Sequence, residues 1–96
     1  MIVTCVHVDV KPEYVEDFIR ATRINHQNSV AEPTNLRFDV LQSADEPTKF
    51  LLYEAYASEE GAAAHKQTEH YLTWRKAVEP WMAKPRQGVP YTGIAP

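Results

Sequence analysis

The apolar residues of this chain switch repeatedly between a spacing of two and a helical stripe. That order of periods narrows the possible folds more than anything else in the sequence. Ile2, Thr4, Val6, Val8 and Val10 fall on one side of an alternating run, with Val3, Cys5, His7 and Asp9 on the other, which is strand periodicity. Lys11-Pro12 stops the run, and Pro12 suits the first turn of a helix. From Glu13 onward Tyr14, Val15, Phe18, Ile19 and Thr22 form one stripe, with Glu13, Glu16, Asp17, Arg20 and Arg23 largely opposite. Pro33 disfavours helical geometry in its predecessor, so this helix should end near Val30 or Ala31. Alternation returns over Leu36–Gln42; a polar connection holding Asp45, Glu46 and Pro47 follows, and Phe50–Tyr56 is the most apolar strand. Ser58-Glu59-Glu60 opens a short helix reaching Lys66, and Thr68 caps another from Glu69 to about Val78, with Tyr71, Trp74, Val78 and Trp81 as its apolar face. Between Arg86 and Ile94 the residues Gly88, Pro90 and Gly93 permit only an edge strand.

The order is strand, helix, strand, strand, helix, strand. It predicts the split βαβ arrangement of a ferredoxin-like α+β sandwich, one domain spanning residues 1–96. Helices would cover one sheet face, and the other would close against a second copy to give a homodimeric α/β barrel. A chain of 96 residues has room for a single modest core, so burial against another subunit would add stability. The net charge is −3 and the basic residues are scattered, which argues against a nucleic-acid partner. No apolar run is long enough to span a membrane and no basic leader precedes one, so a cytoplasmic protein is expected. Cys5 is the only cysteine, and is expected to be a small buried residue.

Chemistry is suggested first by Glu54, a carboxylate inside the apolar strand Phe50–Tyr56. A carboxyl there would have a raised pKa unless paired, which suits general acid or base work. It shares a face with Leu52 and Tyr56. If Tyr53 and its neighbours pack on the helices, Glu54 looks out of the uncovered face. A salt bridge to Arg37 is the plainer alternative. His65 and His70 follow one short helix later. Five residues apart on an ideal helix is about 140° of rotation, so they would not form a same-face metal pair. No third ligand has a convincing spacing, and no metal is expected. Each can act as a neutral imidazole near its working pKa, or cap a helix. His26, late in the first helix, either answers the helix dipole or reaches over the open end of the sheet. Arg37 and Lys66 are the cations best placed to hold an anionic substrate, and Tyr56, Phe38 and Trp74 could form an apolar wall. The chain has no Gly-rich phosphate loop, no nucleotide fingerprint and no Ser nucleophile motif, so no flavin, nicotinamide or ATP is expected.

The pattern His65-x-x-Thr68-x-His70, after a strand ending in the aromatic Tyr56, resembles the antibiotic biosynthesis monooxygenase superfamily of small dimeric α+β barrels over essentially the whole chain. Within it the chain is most similar to the isomerases that process phosphorylated autoinducer-2. The matching stretches are Asn25-His26, Ser29-Val30, Asn35–Gln42, Tyr53–Tyr56, and His65-Lys66 with Thr68, His70 and Tyr71. Both activities are cofactor-independent in the family, so the resemblance implies a small-molecule substrate handled without cofactor. Haem-degrading and polyketide-oxidising relatives use an Asn from the first strand and a Trp from a central one. Here those strands offer Thr4, His7 and Tyr56. The tail after Arg86 is poor in Lys and Arg for the isomerase, leaving Arg37, Lys66 and Arg86 as a phosphate clamp.

Both chemistries begin with a base removing a proton from an activated carbon or phenol. Glu54 and His65 are expected to be the acid/base pair, with His26 and His70 as further proton carriers. Arg37, Lys66 and Asn35 would orient the substrate against Tyr56, Phe38 and Trp74. The expected activity is a cofactor-independent monooxygenase acting on an enolisable or quinol-like substrate. The alternatives are an isomerase of the phosphorylated hydroxydiketone and a non-catalytic dimeric binding module.

Overall fold

A computed structural model describes residues 1–95 of the chain. Its strands are β1 (Ile2–Asp9), β2 (Asn35–Gln42), β3 (Lys49–Tyr56) and β4 (Gln87–Thr92), and its helices are α1 (Val15–Ser29), α2 (Glu59–His65) and α3 (Glu69–Val78). The strands form one sheet in the order β2-β3-β1-β4, every neighbouring pair antiparallel. This is the ferredoxin-like α+β fold that the alternation of periods predicts. Val10 falls just outside β1, in an isolated bridge to Met82. β4, with Pro90 opposite Thr4, pairs on one side only, as an edge strand that contains proline must.

The element ends follow local chemistry. Pro12 opens a 3-10 turn, Pro12–Tyr14, that leads into α1, whose first turn carries Glu16 and Asp17. Ser58 caps α2 by accepting from the Gly61 N–H at 3.1 Å. Thr68 Oγ1 donates to the carbonyl of His65, the last residue of α2, at 2.7 Å and accepts from the Tyr71 N–H at 3.2 Å. One side chain thus ends one helix and begins the next. The break it makes is what turns His65 and His70 towards each other.

The helices cover the face that carries Phe38, Val40, Phe50, Leu52, Glu54 and Tyr56. Cross-strand pairs Val8↔Phe50, Val40↔Leu52 and Phe38↔Glu54 make that face continuous. Phe50 and Leu52 pack with Phe18, Trp74 and Val78, and the Phe18 and Phe50 ring centroids are 4.7 Å apart. This corrects the expected orientation of β3: Glu54 lies beneath the helices, and Leu51, Tyr53 and Ala55 face the uncovered side. Both faces of β3 are apolar, so its periodicity does not choose between them. The larger set, Phe50 with Leu52 and Tyr56, matches the aromatic surface offered by α1 and α3.

α1 continues its buried stripe with polar residues. Phe18, Thr22, Asn25 and Ser29 are all buried. Thr22 Oγ1 accepts from Trp74 Nε1 at 3.0 Å, so the seam between α1 and α3 is satisfied where it is polar.

Candidate active site

Glu32 organises the site, and it lies in the turn between α1 and β2. Its own N–H donates to the Ser29 carbonyl at 3.0 Å, and its carbonyl accepts from the Asn35 N–H at 3.1 Å. That turn presents the carboxylate to three donors. Tyr56 O–H donates to Oε1 at 3.0 Å, while His65 Nδ1–H and His70 Nε2–H both donate to Oε2, at 2.8 and 2.5 Å. Burial alone would raise the Glu32 pKa, but the bonds from His65 and His70, the His65 charge interaction and the Tyr56 bond outweigh it. The carboxylate is held below its ordinary value and stays ionised.

An ionised acceptor fixes the tautomer of His65. Nδ1 carries the hydrogen, which leaves Nε2 as the basic nitrogen. The ring is 2 % exposed and packed against Phe38, Tyr56, His70 and Tyr71, with centroids 5.1 to 5.9 Å away. Burial, the largest influence, pushes its pKa below the usual histidine value despite Glu32. Nε2 is buried without a hydrogen-bond partner. Glu54 Oε1 faces it at 3.6 Å, too long for a hydrogen bond and close enough for a small rotation to make one. Burial raises the Glu54 carboxyl to about 7; the Lys66 ammonium opposes the rise and the Glu32 charge adds to it. Burial likewise raises the Tyr56 phenol, which stays neutral and donates. A neutral imidazole and a carboxyl balanced near neutral pH therefore face each other, ready to exchange a proton.

These groups open onto a cleft of about 1010 Å³ between the sheet and α2, α3 and the segment before β4. Glu54, Tyr56 and His65 line it with the apolar surfaces of Val6, Tyr71 and Trp74. Four cations line the same space: Lys66, Arg75, Lys76 and Arg86. Among the residues expected from sequence, Glu54, His65, Tyr56, Lys66 and Trp74 meet there. His70 joins through Glu32. Phe38 backs the His65 ring without lining the cleft, and Asn35 lies beside the Tyr56 phenol and donates to the Arg37 carbonyl at 3.2 Å.

Two expected residues lie apart. His26 Nδ1–H donates to the Phe38 carbonyl at 2.6 Å, and the two rings meet edge-on. Arg37 pairs across the strands with Ala55, on the uncovered face, and its guanidinium is 2.7 Å from Asp39. Strand alternation decides this: Phe38 faces inward, so Arg37 faces outward. Glu32, Arg75 and Lys76 were not singled out by the sequence. A carboxylate immediately before Pro33, in the loop leading to the strand that pairs with Tyr56, was the available signal for Glu32.

Among the described residues, Glu32, His65 and His70 also form a group able to hold a metal ion, with one ligand atom from each lying within 4.8 Å of the others. The spacing argument against such a set assumed one continuous helix, and the break at Thr68 removes that assumption. As it stands the cluster is a hydrogen-bonded one. Its 2.8 and 2.5 Å contacts are shorter than the roughly 3.3 Å that separates neighbouring ligands around tetrahedral zinc.

The family profile for antibiotic biosynthesis monooxygenase matches residues 1–77. The chain belongs to this family. A 4-hydroxy-5-phosphonooxypentane-2,3-dione isomerase of the (4S) substrate, from Yersinia enterocolitica, is 48% identical over 96 residues, covering 100% of both chains. The Klebsiella pneumoniae protein of the same name is 45% identical over 100% of this chain and 98% of its own. Among solved structures, a Nitrosomonas europaea protein provisionally described as an antibiotic biosynthesis monooxygenase superposes with a TM-score of 0.97 at 58% identity, covering 99% of this chain and 100% of that one. With such relatives along its full length, this family member is an enzyme. No helix of the described residues is long and apolar enough to cross a membrane.

Proposed function

We propose that this enzyme isomerises a phosphorylated hydroxydiketone by moving one proton between adjacent carbons. The observation that carries this reading is the cleft itself, where a desolvated carboxyl and a tautomer-fixed imidazole share one space with four cations. The full-length relatives named for 4-hydroxy-5-phosphonooxypentane-2,3-dione support the choice of substrate. So does the charge of the cleft, which is richer in cations than Lys66 and Arg86 alone would make it. These two findings favour the isomerase over the oxygenase, the reverse of the order expected from sequence.

In such a substrate the hydrogen on the carbon bearing the hydroxyl is acidic, because the neighbouring carbonyl accepts the charge. Glu54, ionised, takes that proton, and the electron pair of the C–H bond forms the C=C bond of an enediolate. His65 Nε2 lies behind Glu54 and relays the proton, while Glu32 holds the imidazole in the useful tautomer. The Lys66 ammonium offsets the charge on the enediolate oxygen. Return of the proton to the former carbonyl carbon, with the hydroxyl proton passing from its oxygen to the enediolate oxygen, exchanges carbonyl and hydroxyl. No oxidant is consumed.

The test is to follow the phosphorylated dione by carbon NMR under argon. Isomer formation that is lost in Glu54→Gln and His65→Ala supports the reading. Absence of conversion, or conversion only with oxygen uptake, overturns it.

The homodimer is part of the same proposal. Leu41 and Tyr91 on the uncovered face are 50% and 54% exposed, beside Leu51, Tyr53 and Val89, and two such faces bury each other. Sedimentation equilibrium showing a monomer at micromolar concentration would remove this part.

A further inference from the structure

Arg86 is held differently from the other cations of the cleft. Its guanidinium stands 5.2 Å over the Trp74 ring, and its side chain is only 17% exposed. Trp74 is itself fixed, buried in the core cluster with Nε1 bound to Thr22. The arginine is thus preorganised on an immobile platform. Its other contact is with Glu79 Oε2 at 2.9 Å, and that carboxylate is 68% exposed.

Glu79 is poorly anchored in return. It is the C-cap of α3, where the helix dipole disfavours a negative charge, and an exposed carboxylate pair contributes little to stability. A phosphate dianion offers more charge and three acceptor oxygens to the same fork of N–H groups. Arg75 and Lys76, which line the cleft beside it, favour the exchange.

We infer that Arg86 is the phosphate-binding arm of the cleft and that Glu79 is a replaceable counter-ion, occupying the guanidinium until the phosphate of a phosphomonoester displaces it. This rests on the proposed isomerase reading and adds to it the residue that selects phosphorylated over unphosphorylated diones.

Inorganic phosphate, titrated by calorimetry into the intact protein at pH 8, tests the arm without turnover. Removing the competitor in Glu79→Gln should tighten phosphate binding, by roughly threefold to tenfold, whereas Arg86→Met should weaken it by about tenfold or more. Arg86→Lys, which keeps charge and loses the fork, should fall between. Adding Glu79→Gln to Arg86→Met should restore nothing. Equal phosphate affinity in Glu79→Gln and the parent overturns the inference, and that arm decides the matter if Arg86→Met fails to fold. In turnover, Arg86→Met should raise KM for the phosphorylated dione far more than for its unphosphorylated analogue. Tight, Arg86-dependent phosphate binding without dione isomerisation would sink the isomerase reading and leave the arm standing. Isomerisation with phosphate binding indifferent to both residues would do the reverse.

Discussion

Glu54→Gln should make the protein more stable and less active, and the size of the first effect follows from the structure. Burial raises the carboxyl from 4.5 to about 7, so the folded state holds its proton more tightly than the unfolded chain does. Where the folded form binds more protons, stability falls as pH rises. The Glu54 contribution is therefore most favourable below pH 4.5, weakens progressively up to about 7, and is a constant penalty above that. At about 1.4 kcal/mol per pH unit, the interval amounts to roughly 3 kcal/mol. Glutamine keeps the shape and cannot ionise, so the variant should be more stable than the parent by up to roughly 3 kcal/mol at pH 8, with the difference vanishing near pH 4. For a domain of this size that is a large fraction of total stability. Urea denaturation of both proteins at half-unit steps from pH 4 to 8.5 measures it, and kcat on the phosphorylated dione should fall by roughly 10²–10⁴ in the same variant. A stability difference that does not change with pH, or an unaltered turnover, refutes the reasoning that this carboxyl is desolvated for use as a base.

Glu32→Gln should lower kcat by roughly 10² and destabilise by about 1–3 kcal/mol, because an amide cannot accept from Tyr56, His65 and His70 at once and turns a donor towards one of them; thermal melting and steady-state rates report both. The pH profile of kcat/KM should rise through about 7 as Glu54 ionises, and a flat profile between pH 5.5 and 8 would contradict a base of that kind. Gly61→Ala would set a methyl against Thr34, whose Cβ lies only 2.7 Å from the added carbon. It should push α2 away from the Glu32 loop and cost about 1–3 kcal/mol with loss of activity, and Thr34→Ala should relieve only part of this.

The architecture was legible because its strands and helices carry distinct periods. The alternation in Ile2–Asp9 and the stripe through Tyr14, Phe18 and Thr22 leave few other folds for a chain of this length. Orientation was less legible. With Leu51 and Tyr53 as apolar as Phe50 and Leu52, the sense of β3 depended on which set matched Phe18 and Trp74 across space. The buried stripe of α1 was half hidden for a related reason: Asn25 and Ser29 are polar, Ser29 Oγ donating to Asn25 Oδ1 at 3.4 Å, so hydrophobic spacing misses them. Glu54 and His65 stood out as ionisable groups beside apolar runs, while Glu32 sits in a polar turn where a carboxylate draws no notice. Its role arises from three donors separated from it by 24 to 38 positions, a convergence that only the fold creates. Arg37 misled in the opposite way. It lies in a motif-like stretch, yet the alternation that turns Phe38 inward turns Arg37 away.

The central claim is that Glu54, supported by His65, carries a carbon-bound proton, and exchange with solvent deuterium measures that transfer directly. With the phosphorylated dione in deuterium oxide, proton NMR should show loss of the carbinol hydrogen at the rate of isomerisation in the parent enzyme and slower by roughly 10² or more in Glu54→Gln. Loss of the carbinol hydrogen equally fast in both proteins would contradict the account.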